Sequence, residues 1–244
     1  MSLPAPEAKR EFVERMFDEI APRYDLVNRL MTLGIDRAWR RRAVRALHVG
    51  PGARVVDLGC GTGDLIAEVE RTGAGVVGID LSAEMIAFGR KRLAGRSFVR
   101  GDAQCLPFPD ASFDGAVSGF ALRNFTSIPT SMREAARVLK PGGRFALLEV
   151  NVPSSGLRRR LFELHFTRVV PLIGGLLSRG FAYSYLAESV EYLPEFGRFR
   201  AILEEAGFVD VERRLLLGGA AQLVTARRAP AGRIASLPGL AKAR

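Results

Sequence analysis

An α/β fold, with a mostly parallel sheet covered by helices on both faces, is what this 244-residue sequence predicts. Three observations carry it. Short apolar runs alternate with helical periodicity from Arg54 to Val150. A glycine-rich turn joins the first of those runs to the helix behind it. The alternation closes on two strand-like runs around Gly218–Gly219 that suit an antiparallel hairpin.

Before the first strand, residues Glu7 to Leu47 read as helices. Phe12, Val13, Met16, Phe17 and Ile20 recur at helical spacing, and Leu26, Val27, Leu30 and Met31 repeat the pattern after Pro22. Pro51–Gly52 then punctuates the chain. Arg54–Leu58 is the first strand, Asp64–Arg71 the helix behind it, and Val76–Asp80 the second strand. Ser82 suits the N-cap of a helix holding Met85, Ile86 and Phe88. Ser97–Asp102 and Phe113–Gly119 read as the third and fourth strands. Ile128–Leu139 reads as a helix stopped by Lys140-Pro-Gly-Gly143, and Arg144–Val150 as the fifth strand. Pro153–Gly197 breaks the alternation with helical, aromatic and basic sequence. Phe199–Ala206 is a last helix ended by Gly207, and Val209–Leu217 pairs with Ala220–Arg227. The division expected is one domain over 1–227, with N-terminal helices in 7–50 and an inserted cap in 151–198, then a loose basic tail over 228–244.

Composition removes several function classes. Two cysteines cannot build a disulfide framework, and two distant histidines offer no ligand spacing, so no bound metal is expected. No apolar leader precedes the first helix, which makes the cytoplasm the expected compartment. The net charge of +10 admits nucleic acid, an anionic membrane surface, or plain arginine richness. No nucleic-acid module is visible, so no nucleic-acid partner is expected. The basic concentrations at Arg37–Arg45 and Arg158–Arg160 keep a peripheral contact with the inner face of the membrane open. The apolar run Val169–Leu177 is broken by Pro171 and Gly174–Gly175, well short of the roughly 20 residues a crossing helix needs.

The chemistry concentrates at Asp57-Leu-Gly-Cys-Gly-Thr-Gly63, where strand turns to helix. Gly59, Gly61 and Gly63 permit a tight turn and close approach of a ligand, and the helix from Asp64 offers free N–H groups. Asp80, followed by Leu81, ends the next strand, where an acidic side chain can accept both hydroxyls of a ribose. Asp102 and Ala103 end the third strand, placed for an adenine. Three acidic residues at successive strand ends converge on one crevice. Because Asp57 and Asp64 bracket the loop, a diphosphate is repelled and a cationic sulfonium is suited, which favours S-adenosylmethionine over a dinucleotide.

On these motifs, with Leu106-Pro-Phe108, Ser112-Phe-Asp114 and Arg137-Val-Leu-Lys-Pro-Gly-Gly143, the chain resembles the class I methyltransferases. The resemblance implies a Rossmann-like, seven-stranded sheet whose last hairpin makes one strand antiparallel. It also implies cofactor contacts at Asp57, Gly59, Gly61, Thr62, Gly63, Asp80, Leu81, Asp102, Ala103 and Gly119, with S-adenosylhomocysteine as product. The segments Phe17-Asp-Glu-Ile-Ala-Pro-Arg-Tyr-Asp25, Leu122-Arg-Asn124 and Tyr183-Ser-Tyr-Leu-Ala-Glu-Ser189 are similar to those of the menaquinone/ubiquinone C-methyltransferase family. That likeness implies methylation of a ring carbon of a polyprenylated quinol, demethylmenaquinol to menaquinol, or alternatively of a ubiquinone-pathway benzoquinol or another small or lipid acceptor. Arg123 is then the expected oxyanion stabiliser or holder of a proton-accepting water, with Asn124 orienting that water or the quinol oxygen. Tyr24, Asp25, Asp36, Tyr183 and Tyr185 are expected along the acceptor pocket, core packing or capping being the alternative. A homodimer stays open. The family usually has His where Asp36 stands, and Ser at Gly119.

Overall fold

The computed structural model describes residues 6–32, 34–153, 155–164, 168, 185 and 188–230. Its sheet has seven strands: β1 (Arg54–Leu58), β2 (Gly75–Asp80), β3 (Ser97–Arg100), β4 (Phe113–Gly119), β5 (Leu139–Val150), β6 (Phe208–Leu216) and β7 (Ala221–Arg228). Their order is β3-β2-β1-β4-β5-β7-β6. β1 to β5 are parallel, and β7 lies antiparallel between β5 and β6. Strand order reverses at β1 and β4, so a crevice opens beyond their carboxyl ends, where open α/β sheets hold ligands.

Period-two burial shows why both faces are covered. Along β5, Phe145 and Leu147 face one cluster with Val56, Phe113, Met132, Leu203 and Phe208. Ala146 and Leu148 face the other, with Val44, Val55, Leu65, Val117 and Leu223. The first cluster lies under α6 (Ile128–Val138) and α8 (Phe196–Glu205); the second lies under α3 (Asp36–Ala46) and α4 (Asp64–Glu70).

Three boundaries differ from the sequence reading by two residues or more. β5 begins at Leu139, because that residue is already extended and fully buried opposite Phe113. Lys140-Pro-Gly-Gly143 is therefore a bulge inside a strand and not a separate loop; the register jumps from Leu139 to Arg144 across it. Helix α8 starts at Phe196, with Gly197 inside it. The glycine costs about 1 kcal/mol of helix propensity, which packing of Phe196 and Phe199 against the core overrides. β3 ends at Arg100, although Gly101 N–H still donates to Asp80 O.

Helix α1 (Pro6–Ile20) lies on α5 (Ala83–Arg92), where Val13, Met16 and Ile20 pack with Met85. Ser82 caps α5 as expected, accepting from Met85 N–H at 3.0 Å, while its hydroxyl donates to Asp18 of α1 at 2.5 Å. Helix α2 (Tyr24–Thr32) follows a short 3-10 turn, and α7 (Gly156–Leu164) follows β5. Residues 154, 165–167, 169–184, 186 and 187 of the expected cap, Tyr183 among them, and residues 231–244 of the expected tail lie outside the described residues.

Candidate cofactor and acceptor crevice

The crevice is built by the turns that leave β1, β2, β3 and β4, roofed by α1 and α2. After β1 the chain reverses through Gly59, with φ at +70°, and its N–H and that of Cys60 both donate to Ile79 O. A side chain at Gly59 would bring a Cβ within 2.5 Å of Ala121 Cβ, so the loop can lie against the β4 turn only with glycine there. Gly61 N–H donates to Asp80 at 2.7 Å, and Ser82 N–H donates to the other carboxylate oxygen at 3.0 Å. Leu81 N–H is a third backbone donor to this carboxylate, which also lines the crevice, where an acceptor for hydroxyl groups is needed.

Of the residues expected to hold a cofactor, Gly59, Gly61, Asp80, Leu81, Asp102, Ala103 and Gly119 line this crevice. Asp57, Thr62 and Gly63 do not. Gly63 is the left-handed N-cap of α4, and Thr62 is buried with its hydroxyl donating to Asp25. Asp57 is fully buried beneath the loop, and neither carboxylate oxygen has a hydrogen-bond partner. Burial pushes its pKa up to about 8; Arg40 opposes this, and Asp80 and Asp64 reinforce it. Burial also raises the Asp80 pKa. Asp64, despite burial, is held below the ordinary carboxylate range by Arg40 and Arg92. Carboxyl groups are thus concentrated under the loop; burial disfavours the charge on Asp57 and Asp80, and the Asp57 carboxyl has no hydrogen-bond partner.

The N-terminal helices are tied to that loop by charge. Asp25 accepts from Thr62 and from Arg92, and Arg92 also reaches Asp64 at 2.8 Å. Arg40 lies 3.5 Å from both Asp36 and Asp64, and Asp36 accepts from the Thr32 hydroxyl at 2.9 Å. Asp25 and Asp36, expected along the acceptor pocket, are therefore placed as joints between α2, α3 and the glycine loop. Replacing Asp36 with Asn leaves Arg40 short of a buried counter-charge and is expected to cost about 1–3 kcal/mol of stability, measured by denaturant unfolding. The pH profile of turnover is expected to stay put; a displaced profile would make Asp36 a proton acceptor instead.

Toward the acceptor side, Tyr24 lines the crevice with its ring edge-on to Phe17, centroids 5.9 Å apart. Asn124 also lines it, on a 3-10 turn (Leu122–Asn124) after β4, and its Oδ1 accepts from the Tyr185 hydroxyl at 3.3 Å. Arg123 does not face the crevice. It is buried behind the turn and paired with Glu149, itself fully buried. Its charge still reaches the site, where it works against the upward push that burial gives the Tyr24 and Tyr185 hydroxyls.

Val13, Phe17, Met85, Phe120 and Phe125 complete an apolar wall that the sequence reading did not assign to a site. The periodicity of α1 marks Val13 and Phe17 as buried without saying against what. Phe120 carried no signal at all. Its φ of +60° is strained for a phenylalanine, and its ring lies 5.5 Å from the Arg40 guanidinium. Gly119 packs against α4: a Cβ there would lie 2.9 Å from Leu65 Cδ1, so the family's usual serine would require Leu65 to move.

The profile of the ubiE/COQ5 methyltransferase family matches residues 5–228. The chain belongs to that family. UbiE/COQ5 relatives are similar over nearly the whole length. One from Geobacter sulfurreducens, named ubiquinone/menaquinone biosynthesis C-methyltransferase UbiE, is 39% identical and covers 90% of each chain. One from Thermus thermophilus, named demethylmenaquinone methyltransferase, is 44% identical over 85% of this chain and 97% of its own. Among solved structures, a SAM-dependent methyltransferase from Thermotoga maritima matches with a TM-score of 0.61 and 19% identity, over 88% of this chain and 99% of that one. The [4+2]-cyclase SpnF matches at 0.62 and 19%, over 94% and 100%. These structures share the ubiE/COQ5 fold, and the cyclase shows that the fold alone does not fix the chemistry.

Proposed function

We propose that this enzyme transfers a methyl group from S-adenosylmethionine to a ring carbon of a polyprenylated quinol, with demethylmenaquinol as the acceptor. The observation that carries the reading is the crevice's division of labour within a ubiE/COQ5 chain: carboxylates at one end, an apolar and aromatic wall with one polar amide at the other.

The residues present fit the cofactor. Asp57, buried without a partner, calls for a cation beside the glycine loop, and the Asp80 carboxylate, which lines the crevice, is an acceptor for ribose hydroxyls. Asp102 and Ala103 line the edge where an adenine would lie. When bound, S-adenosylmethionine supplies an activated methyl group. The protein's work is then alignment and charge. Aligning ring and donor is worth about 7–11 kcal/mol for well-oriented reactants, and Tyr24, Phe17 and Phe125 provide flat walls that exclude water. Asn124 uses its oxygen to accept from Tyr185, which leaves its amide N–H groups to donate to a quinol oxygen as that oxygen becomes negative. Arg123 adds a positive field from behind the turn and holds Asn124 in position through Glu149.

The test is transfer of labelled methyl from S-adenosylmethionine to a short-chain demethylnaphthoquinol, with a matching benzoquinol and a simple phenol alongside. Labelling of the naphthoquinol is expected. No label in either quinol would overturn the reading; the benzoquinol alone would move the acceptor to the ubiquinone series that the Geobacter relative's name includes.

A further inference from the structure

Single exposed leucines are ordinary on a protein surface; their distribution here is not. Among the described residues, eight large apolar side chains are exposed, from 37% at Ile35 to 71% at Leu157. Leu26 and Leu30 stand one turn apart on α2, the helix that brings Tyr24 to the crevice, and Ile35 follows at the start of α3. Val152 follows the carboxyl end of β5, and Leu157 and Leu164 lie on α7 just beyond it. Leu215 and Leu217 sit where β6 turns into β7, a turn whose register places it beside Val150. Leu26, Leu30, Ile35, Val152, Leu215 and Leu217 therefore lie at the carboxyl edge of the sheet, around the side on which the crevice opens, and the chain leaves that edge into α7, which carries Leu157 and Leu164.

Charge alone would choose differently. A groove toward the amino edge, where Arg42, Arg45, Arg144, Arg200 and Arg227 outnumber Asp210 and Glu212, is basic as well, but no exposed large apolar residue is among those that line it. At the carboxyl edge, exposed Arg29, Arg37 and Arg160 stand next to the leucines. Basic side chains beside exposed leucines suit an anionic bilayer, which offers phosphate to the first and acyl chains to the second. They do not suit a second copy of the chain, whose matching edge would carry the same positive charge.

We propose that the carboxyl edge of the sheet is a bilayer-docking face. On it, α2, α7 and the β6–β7 turn insert leucines between lipid headgroups and hold the crevice against the membrane. This rests on the quinol reading and adds to it how a prenylated acceptor reaches the site: the ring rises into the crevice while its tail stays in the bilayer. No helix among the described residues is long and apolar enough to cross a membrane, so the contact is made from one side.

Flotation of the full chain with vesicles of phosphatidylcholine, alone or mixed with phosphatidylglycerol, tests the face. Binding to the mixed vesicles is expected. The pairs Leu26→Ser/Leu30→Ser, Leu157→Ser/Leu164→Ser and Leu215→Ser/Leu217→Ser are each expected to weaken it, and all six together by about tenfold or more. Arg42→Ala/Arg45→Ala is expected to leave it within about twofold of the parent, since screened charge at the far edge contributes little. The leucine variants are expected to lose turnover on a long-chain quinol held in vesicles and to keep it on a short-chain soluble quinol. Leu30→Trp and Leu157→Trp report without loss of binding, their emission shifting to the blue when vesicles are added. Unshifted emission, flotation untouched by the six substitutions, or flotation abolished by Arg42→Ala/Arg45→Ala would each overturn the proposal. Methylation of the soluble quinol without vesicle binding would remove the docking face and leave the enzyme reading intact. Vesicle binding without any quinol methylation would do the reverse.

Discussion

Replacing Glu149 with Ala is expected to lower the unfolding free energy by about 3–5 kcal/mol, the range for breaking a buried ion pair and stranding one charge. The geometry gives the reason. Glu149 is wholly buried on β5, and it is the carboxylate that faces the Arg123 guanidinium behind the β4 turn; it also accepts from the Val150 N–H at 2.9 Å. Arg123 Nε already lacks a partner, so the guanidinium has no spare hydrogen bond on which to fall back. Arg123→Met strands the carboxylate instead and is expected to be nearly as unstable. The informative protein is the double variant Arg123→Met/Glu149→Leu, in which neither charge remains. Its denaturant midpoint is expected to recover most of the loss, while turnover stays at least about tenfold below the parent and cofactor affinity is nearly unchanged. A double variant with full turnover would take Arg123 out of the chemistry and leave it a purely structural cation.

Asp57→Asn is expected to produce a protein more stable than the parent at neutral pH and worse at holding its cofactor. The carboxyl pKa of about 8 lies above the ordinary 3.8 because burial disfavours the charge. The folded protein therefore keeps a proton that the unfolded chain releases as pH rises above 4. Stability falls between pH 4 and 8, then levels once the folded state ionises as well. Asparagine carries no such loss. The two proteins are expected to match near pH 4 and to diverge by an amount on the order of 5 kcal/mol near pH 8. Binding has the opposite dependence. A cationic ligand that needs Asp57 ionised must expel its proton, so affinity is expected to rise with pH up to about 8 and calorimetry at pH 7 to show proton release. The Asp57→Asn protein is expected to release none and to bind at least about tenfold more weakly. Equal affinity in the two proteins would mean that the loop does not use this charge.

The sheet was legible because its signals are local. β4 runs from Phe113 to Gly119 as read, since an apolar run bounded by turn residues needs no partner to announce itself. The start of β5 was not legible, because Pro-Gly-Gly reads as a stop unless one knows that Leu139 is buried opposite Phe113. The same distinction divides the site. Asp80, Asp102, Gly59 and Gly61 sit at strand ends, and topology alone sends them to the crevice. Thr62, Asp25 and Arg123 have the right chemistry nearby, but their tasks are set by partners 37, 67 and 26 residues away, which no local pattern reveals. The strained backbone at Phe120 follows from the packing around it, and one sequence does not carry that information.

The roof imposes an order on how the protein is made. Helix α1 is synthesised early, yet Asp18 meets Ser82 across 64 residues, Glu14 meets Arg100 across 86, and Lys9 reaches Phe125 O across 116. At ordinary translation speeds of about 5–20 residues per second, its greasy side waits roughly 6–23 s before the last of these partners exists. A nascent chain of this enzyme therefore carries a sticky amphipathic stretch that must be chaperoned or kept dilute, and it can acquire affinity for its nucleoside ligand only after the first half of the polypeptide has left the ribosome.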